Sequence, residues 1–504
     1  DQVLAGEFPT NGQVVSGSAN ISHTANAMDI VQTSNKAAIN WQTFDVGQGK
    51  SVNFHQPSAS SIALNRVLGS DVSRIQGAIN ANGQVFLVNP NGVLFTPTAQ
   101  VNAGALLAST LDISSERFNE GLYTFEGDST EAVTNQGLIS AASGGYVVLI
   151  ASQIDNSGVV SAPAGQVLMG AGAKVTLDTG GPVMLEVEQG ALDALIANGG
   201  AISAQGGAVH LSAKAANNLV SSVINHSGVV EANSLTSRGG EIFLEADDIV
   251  LQASSTISAA GAEGGGVVLV GGDWQGGQVP SLRLSETEMR QAETVTMQAG
   301  ASIDASATRS GGGGSVVLWS DVGSPSSLTV AQGRITATGG SAGGDGGQIE
   351  TSGHHLEIAG AQVRAGAANG KGGQWLLDPV GDTVIDNSGA STISGTLNGG
   401  TDVTYEVTGG NLTVSAAGAN SIKKATGTAT RTLTLRSEQD IQFSNGADIT
   451  ATSGKLNVVL WADTNGTVEA GGAGGGGGGI KFVQNNEFHT NGGHIWVGGG
   501  STAG

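Results

Sequence analysis

Asn65 and the run Asn89-Pro90-Asn91-Gly92 offer side-chain amides, and the run has the composition of a turn. A side-chain amide is neither a nucleophile nor a base at neutral pH, so such a set does recognition or shapes backbone. Proline at a second turn position followed by Asn-Gly makes a tight turn by itself. The residues suited to harder chemistry are poorly arranged for it. His354-His355, and His489 with His494, lack the i, i+4 spacing of a helical zinc pair, and no metal or cofactor is expected. Asp247-Asp248 reads as a solvated turn rather than a carboxylate pair. Gly343-Gly344-Asp345-Gly346-Gly347 has the composition of a calcium-binding repeat but occurs once, without its period. Asn-x-Ser/Thr sequons stand at Asn20, Asn225, Asn411 and Asn465, as chance allows in a chain rich in these residues. Polysaccharide-cleaving enzymes, the main rival reading, need acids clustered with Arg or Lys. Twenty basic residues scattered over 504 positions give no recurring cluster, so no enzyme is expected.

The elements that hold these residues are short and repeated. One unit reads Asn-x-Gly-x-Ile-Ser-Ala, then a glycine turn, then Gly-x-Val-x-Leu. It runs from Asn135 to Leu149 and again from Asn156 to Leu168, with its turn glycines, Gly145 and Gly165, 20 residues apart. Later copies centre on Ile202, Val230, Ile257, Ile303, Ile335 and Ile449. Strands this short cannot bury a face alone and must stack on their neighbours. Stacking gives an all-β fold, a right-handed parallel β-helix. At about 20–22 residues and about 4.8 Å per coil it would make a rod on the order of 100 Å long. Val, Ile, Leu and Ala fill a thin core. The Asn-x-Gly turns are expected to use residues tolerant of positive φ, and equivalent asparagines to stack as amide ladders.

Three stretches break the pattern. Gln189 to Ala197 and Ser285 to Val295 read as short helices on loops outside the rod, Ser285 with Glu288 resembling a capping box. Gly471 to Gly479 reads as a low-complexity loop.

Composition agrees. Glycine supplies 82 residues, aromatics only 4%, and apolar residues 39%, too many for disorder. The net charge of −22 argues against nucleic acid and disfavours simple docking on anionic lipid. There is no cysteine, as suits a chain that crosses a second membrane unfolded. No apolar run is long enough to span a bilayer. The opening Asp1-Gln2-Val3 reads as a trimmed end, and the repeat strand at Gly493–Val497 leads to the expectation that the natural chain continues.

The first 130 residues carry more bulky side chains, among them Trp41, Phe44, Phe54, Phe86 and Phe95. There, Ala38-Ile39-Asn40-Trp41-Gln42-Thr43-Phe44-Asp45-Val46, Ser61-Ile62-Ala63-Leu64-Asn65-Arg66-Val67, Ile75-Gln76-Gly77, Asn82 to Val93 and Ala108-Ser109-Thr110-Leu111-Asp112-Ile113 follow in order. This series resembles the secretion domain of filamentous-haemagglutinin-type proteins of two-partner secretion. Gly271-Gly272-Asp273-Trp274, Glu350-Thr351-Ser352-Gly353 and Trp375-Leu376-Leu377-Asp378-Pro379 resemble the high-molecular-weight adhesin branch.

The resemblance implies a bacterial surface adhesin of a Gram-negative cell. It would reach the periplasm, be captured by periplasmic domains of a cognate outer-membrane β-barrel transporter of the TpsB type, and fold outside. Asn65, Asn89, Pro90, Asn91 and Gly92 match the family's secretion motifs. The implied ligand is a host glycan or biofilm exopolysaccharide, and the chain is expected to be a monomer. A contact-dependent toxin or haemolysin of the same export class is a further alternative. Expected divisions are a cap over 1–35, the secretion domain over 36–250, and continuing β-helix over 251–504 with loop insertions near 273–295 and 380–410.

Overall fold

A computed structural model describes residues 6–217, 221–277, 289–466 and 478–501. The chain divides into two units, 1–233 with 240–250, and 234–239 with 251–504. Each is a parallel β-helix whose strands pair with the equivalent strands of the coils before and after.

In the first unit, Gln153–Asn156, Val159–Ser161 and Gln166–Ala171 make one three-stranded coil. These stack in register on Ala132–Asn135, Leu138–Ala141 and Tyr146–Ala151. Alternate residues point inward, and Ile154, Val160 and Val167 are fully buried. The start of the stack is covered by antiparallel pairing, Gln13–Ser16 against Lys36–Trp41 and Ala19–His23 against Ala27–Gln32. Ala27–Gln32 already pairs in parallel with Ser51–His55. Thus the strands that close the stack also begin it.

The glycines owe their place to a different cause from the one expected. Gly137, Gly158 and Gly228 of the Asn-x-Gly turns are not among the positive-φ residues, and a Cβ added to Gly158 or Gly228 would lie 2.3 or 2.1 Å from the carbonyl oxygen of Gly137 or Gly200. The same holds at the glycine turns, where Gly145, Gly165, Gly207 and Gly240 also lack positive φ. A Cβ added to Gly145 would lie 2.0 Å from the Gly104 carbonyl oxygen. At Gly165, Gly207 and Gly240 it would lie 1.9 Å from that of the glycine one coil below. Stacked corners approach so closely that only hydrogen fits. Asparagines at the other corner form a buried ladder. Asn135 Nδ2 donates to Asn156 Oδ1 at 2.8 Å and Asn156 Nδ2 to Asn198 Oδ1 at 2.7 Å, with His226 as the next rung.

One face of this unit carries an added layer: a short helix (Ser115–Glu120) and an antiparallel sheet of Tyr123–Glu126, Lys174–Asp178 and Met184–Gln189. It exists because the outer face beneath is apolar, with Leu64, Phe86, Leu107, Val148 and Leu168 on successive rungs, all buried in one cluster with Phe118, Tyr123 and Phe125. Lys36 Nζ donates to the Phe118 and Asn119 carbonyls at the helix end and lies over the Phe118 and Tyr123 rings. The helix expected over Gln189 to Ala197 is absent. Gln189 ends a strand of this layer and Leu195–Asn198 is a stacking strand. Its i, i+3, i+4 apolar spacing also places Ala194, Ile196 and Asn198 on one side of a strand, and pairing decides between the two.

In the second unit, Val267–Val270, Ser315–Trp319, Gln348–Gly353, Gln374–Pro379, Asp402–Val407, Arg431–Ser437, Leu456–Ala462 and Ile495–Gly499 stack in parallel. The stretch near 380–410, where a loop insertion was expected, is mostly regular structure. It holds a helix, Asn387–Asn398, capped by Asp386, with Ala390, Ile393 and Leu397 buried. In the helix expected over Ser285 to Val295, residues 285–288 lie outside the described residues and Thr294–Met297 is a strand. Most of the Gly471 to Gly479 run also lies outside them.

Candidate functional site

The strand Ile62–Val67 divides its polar residues between its two faces. Asn65 points into the core and is fully buried. Its Oδ1 accepts from Trp41 Nε1 at 3.0 Å, and its Nδ2 donates to the Ala63 and Phe86 carbonyls. Arg66 points outward and grips Asp112 in two parallel bonds, Nε to Oδ1 at 2.9 Å and Nη2 to Oδ2 at 2.5 Å. That pair, which the motif reading did not single out, fixes the chain where it leaves the stack for the added layer. Its signal was Asp112 standing in a matched segment.

Asn89 to Gly92 form a hydrogen-bonded turn, Gly92 N donating to the Asn89 carbonyl at 3.0 Å, with Gly92 at φ +105. Asn89 is fully buried. Its Oδ1 accepts from the Asn91 backbone N–H, and its Nδ2 donates to the Asp71 carbonyl and Ser73 Oγ at 2.9 and 3.0 Å. Asn91 Nδ2 reaches the Gly69 carbonyl at 2.8 Å. Pro90, the exposed member, accepts from Ser129 Oγ through its carbonyl. The four residues therefore tie residues 69–73, the turn itself and Ser129 together. Asn65 lies on a neighbouring rung and has no bond to the turn.

The remaining candidates are scattered. Asn20 and Asn465 are exposed, Asn225 is half-buried in Val223–His226, and Asn411 is held by Asp382. Asp247 is bound by Ser222. His354 and His355 face backbone carbonyls. Among the described residues, no three His, Cys, Asp or Glu are grouped to hold a metal.

Residues 5–262, just over half of the chain, match the TPS secretion domain family. The chain belongs to that family, the exoproteins of two-partner secretion. Two heme/hemopexin-binding proteins of Haemophilus influenzae are 35% and 31% identical over half of this exoprotein, and the matches span only 29% of their own length. The crystal structure of the HMW1 secretion domain from Haemophilus influenzae is 29% identical with a TM-score of 0.58. That match covers 73% of this exoprotein and the whole of that chain. A TPS domain implies passage through the periplasm of a Gram-negative cell, a cognate outer-membrane transporter, and delivery to the surface or the medium. No helix among the described residues is long and apolar enough to cross a membrane.

In the exoprotein's second unit, Glu350–Gly353 pairs in parallel with Leu376–Pro379, and Gln275, the residue after Gly271–Trp274, bonds to Glu350. Glu350 is fully buried; its Oε2 accepts from the Gln275 backbone N–H at 2.9 Å and its Oε1 from Ser352 Oγ at 2.9 Å. Gln275 adopts a left-handed backbone (φ 46). Gly272 and Gly276 press on the Trp319 ring where no side chain would fit. Burial pushes the Glu350 carboxyl up to about 8, and the negative charges of Asp378 and Asp273 add to the shift. Asp378 is pushed up to about 7, again chiefly by burial. In the unfolded chain Glu350 ionises near 4.5, so between about 4.5 and 8 the folded state holds the extra proton. The contribution of Glu350 to stability is full below that window and is lost as pH rises through it. Thermal melts of the wild type are expected to carry this decline, and Glu350→Gln to flatten it by about 4 kcal/mol between pH 5 and pH 9. An equal decline in both proteins would refute the assignment.

Proposed function

We propose that the first unit is the export signal of a surface adhesin, and that Asn65 and Asn89-Pro90-Asn91-Gly92 act in capture by the transporter. The observation that carries the reading is the turn at 89–92, closed by buried amides within the matched domain. Buried amides cannot be read on a folded surface, so capture engages them before folding, and the same amides then lock the folded coil outside. Each coil contacts mainly its neighbours, which lets folding advance as the chain emerges. Progressive folding outside biases the direction of transit without ATP.

The following coils are the adhesive or stalk part, and their ligand is a glycan of a host surface or a biofilm. The exoprotein acts as a monomer and by binding, not by cleavage. Support comes from the stacking pattern, which continues through the second unit and presents side chains at regular spacing. Adherence of transporter-bearing cells to epithelial or biofilm surfaces, with and without this exoprotein, tests the reading; equal adherence would sink it. Capture of heme or hemopexin is a second reading, favoured by the names of the two relatives. Binding of hemin or hemopexin by the purified chain, with no gain in adherence, would put it first.

A further inference from the structure

The last coils of the second unit carry side chains outward in aligned columns. Leu377 pairs with Tyr405, Glu406 with Arg436, and Arg436 with Trp461. Asp378, one residue past the first of these rungs, therefore precedes Glu406, Arg436 and Trp461 on successive coils about 4.8 Å apart. Their strand neighbours Leu377, Val403, Tyr405, Leu435 and Leu460 fill the core, which sets the column on the outer face. Arg436 Nη1 donates to Glu406 Oε2 at 2.8 Å, and its guanidinium lies 4.6 Å over the Trp461 ring. Trp461 meets Trp496 of the next coil edge to face at 6.0 Å.

Stapling of successive coils explains the Arg436–Trp461 stack. It does not explain why two large rings sit side by side at the surface. Trp41, Trp319 and Trp375 are fully buried, whereas Trp461 and Trp496 are not, in a chain with only 4% aromatic residues. Paired indoles beside a carboxylate and a guanidinium, set on one outer face of successive coils, match what a sugar polymer needs. Its C–H faces stack on the rings and its hydroxyls bond the charged groups. The net charge of −22 disfavours a polyanion. We propose that Asp378, Glu406, Arg436, Trp461 and Trp496 form a platform for an uncharged polysaccharide lying along the stacking direction. This rests on the adhesive reading and names its face and ligand class.

The test is co-sedimentation of the full chain with chitin and with microcrystalline cellulose, alginate serving as the polyanion. The expected result is retention on at least one neutral polymer and at least a tenfold loss of affinity in Trp496→Ala and Trp461→Ala. Trp461→Phe is expected to keep part of it. Thr434→Arg obstructs the same outer face, Thr434 being half-buried and two residues before Arg436 on its strand. It serves if a tryptophan variant fails to fold, as judged by circular dichroism. Retention unchanged in Thr434→Arg and Trp496→Ala would overturn the platform and leave the adhesive reading standing. Binding to alginate alone, or to no polymer, would overturn the ligand class. The adhesive reading fails separately, if cells bearing the chain adhere no better than cells without it.

Discussion

Asn89→Ala is expected to cut transporter-dependent secretion at least roughly tenfold and to destabilise the folded first unit by about 2–4 kcal/mol. The substitution strips the Asp71 carbonyl and the buried Ser73 Oγ of their donor and leaves the Asn91 N–H without its acceptor. Buried polar groups without partners account for the large end of single-residue effects. Pulse-chase secretion, beside thermal melts of protein refolded from denaturant, measures both quantities. Pro90→Ala separates the two roles of the turn. The Pro90 ring is exposed, so its loss should leave the melt almost unchanged. Lower secretion of Pro90→Ala at unchanged stability would show that the transporter reads the turn. Normal secretion of Asn89→Ala would remove the site altogether.

The other large effect concerns two adjacent glycines. Gly145→Ala is expected to cost about 3 kcal/mol or to prevent folding, since its Cβ would sit 2.0 Å from the Gly104 carbonyl oxygen, and backbone on both sides leaves no route for relief. Gly144→Ala meets nothing within 4 Å and suffers only from its positive φ of 78. Its cost should be about 1–2 kcal/mol. Chemical denaturation of the two variants checks the ordering. Equal costs would mean that the coils spread easily at their corners, and the close-approach account of the repeat glycines would fall.

That contrast marks the limit of what the residues alone disclose. The period of the Gly145 and Gly165 units required stacking, and the stacked coils follow it rung by rung. The period did not say why glycine recurs: a tight turn and a close approach look alike in one dimension, and only the distance between coils separates them. The added layer over Phe86 and Leu107 stayed hidden for a related reason. An apolar residue on the outer side of a strand has the same letter as one on the inner side, and its cover comes from segments as distant as Met184–Gln189. The helix Asn387–Asn398 is rich in Ser, Thr and Gly and has a weak apolar stripe, so its burial and its Asp386 cap, more than propensity, hold it.

The candidate site was legible as motif and not as geometry. The order of matched segments marked Asn65 and Asn89 to Gly92. That both asparagines point inward follows from register, which a repeat of short strands leaves open until pairing is known. Glu350 was visible only as part of a motif. Its contact with Gln275, 75 residues earlier, depends on a loop laid back across the sheet.

Above all, the chain is an export substrate whose partner is a cognate transporter. The decisive measurement is the amount of this chain reaching the surface and medium of a Gram-negative host, with the cognate transporter present and with it deleted. The account predicts folded, protease-resistant chain outside only when the transporter is present, and degraded chain in the periplasm when it is not. Equal release in both strains would contradict it.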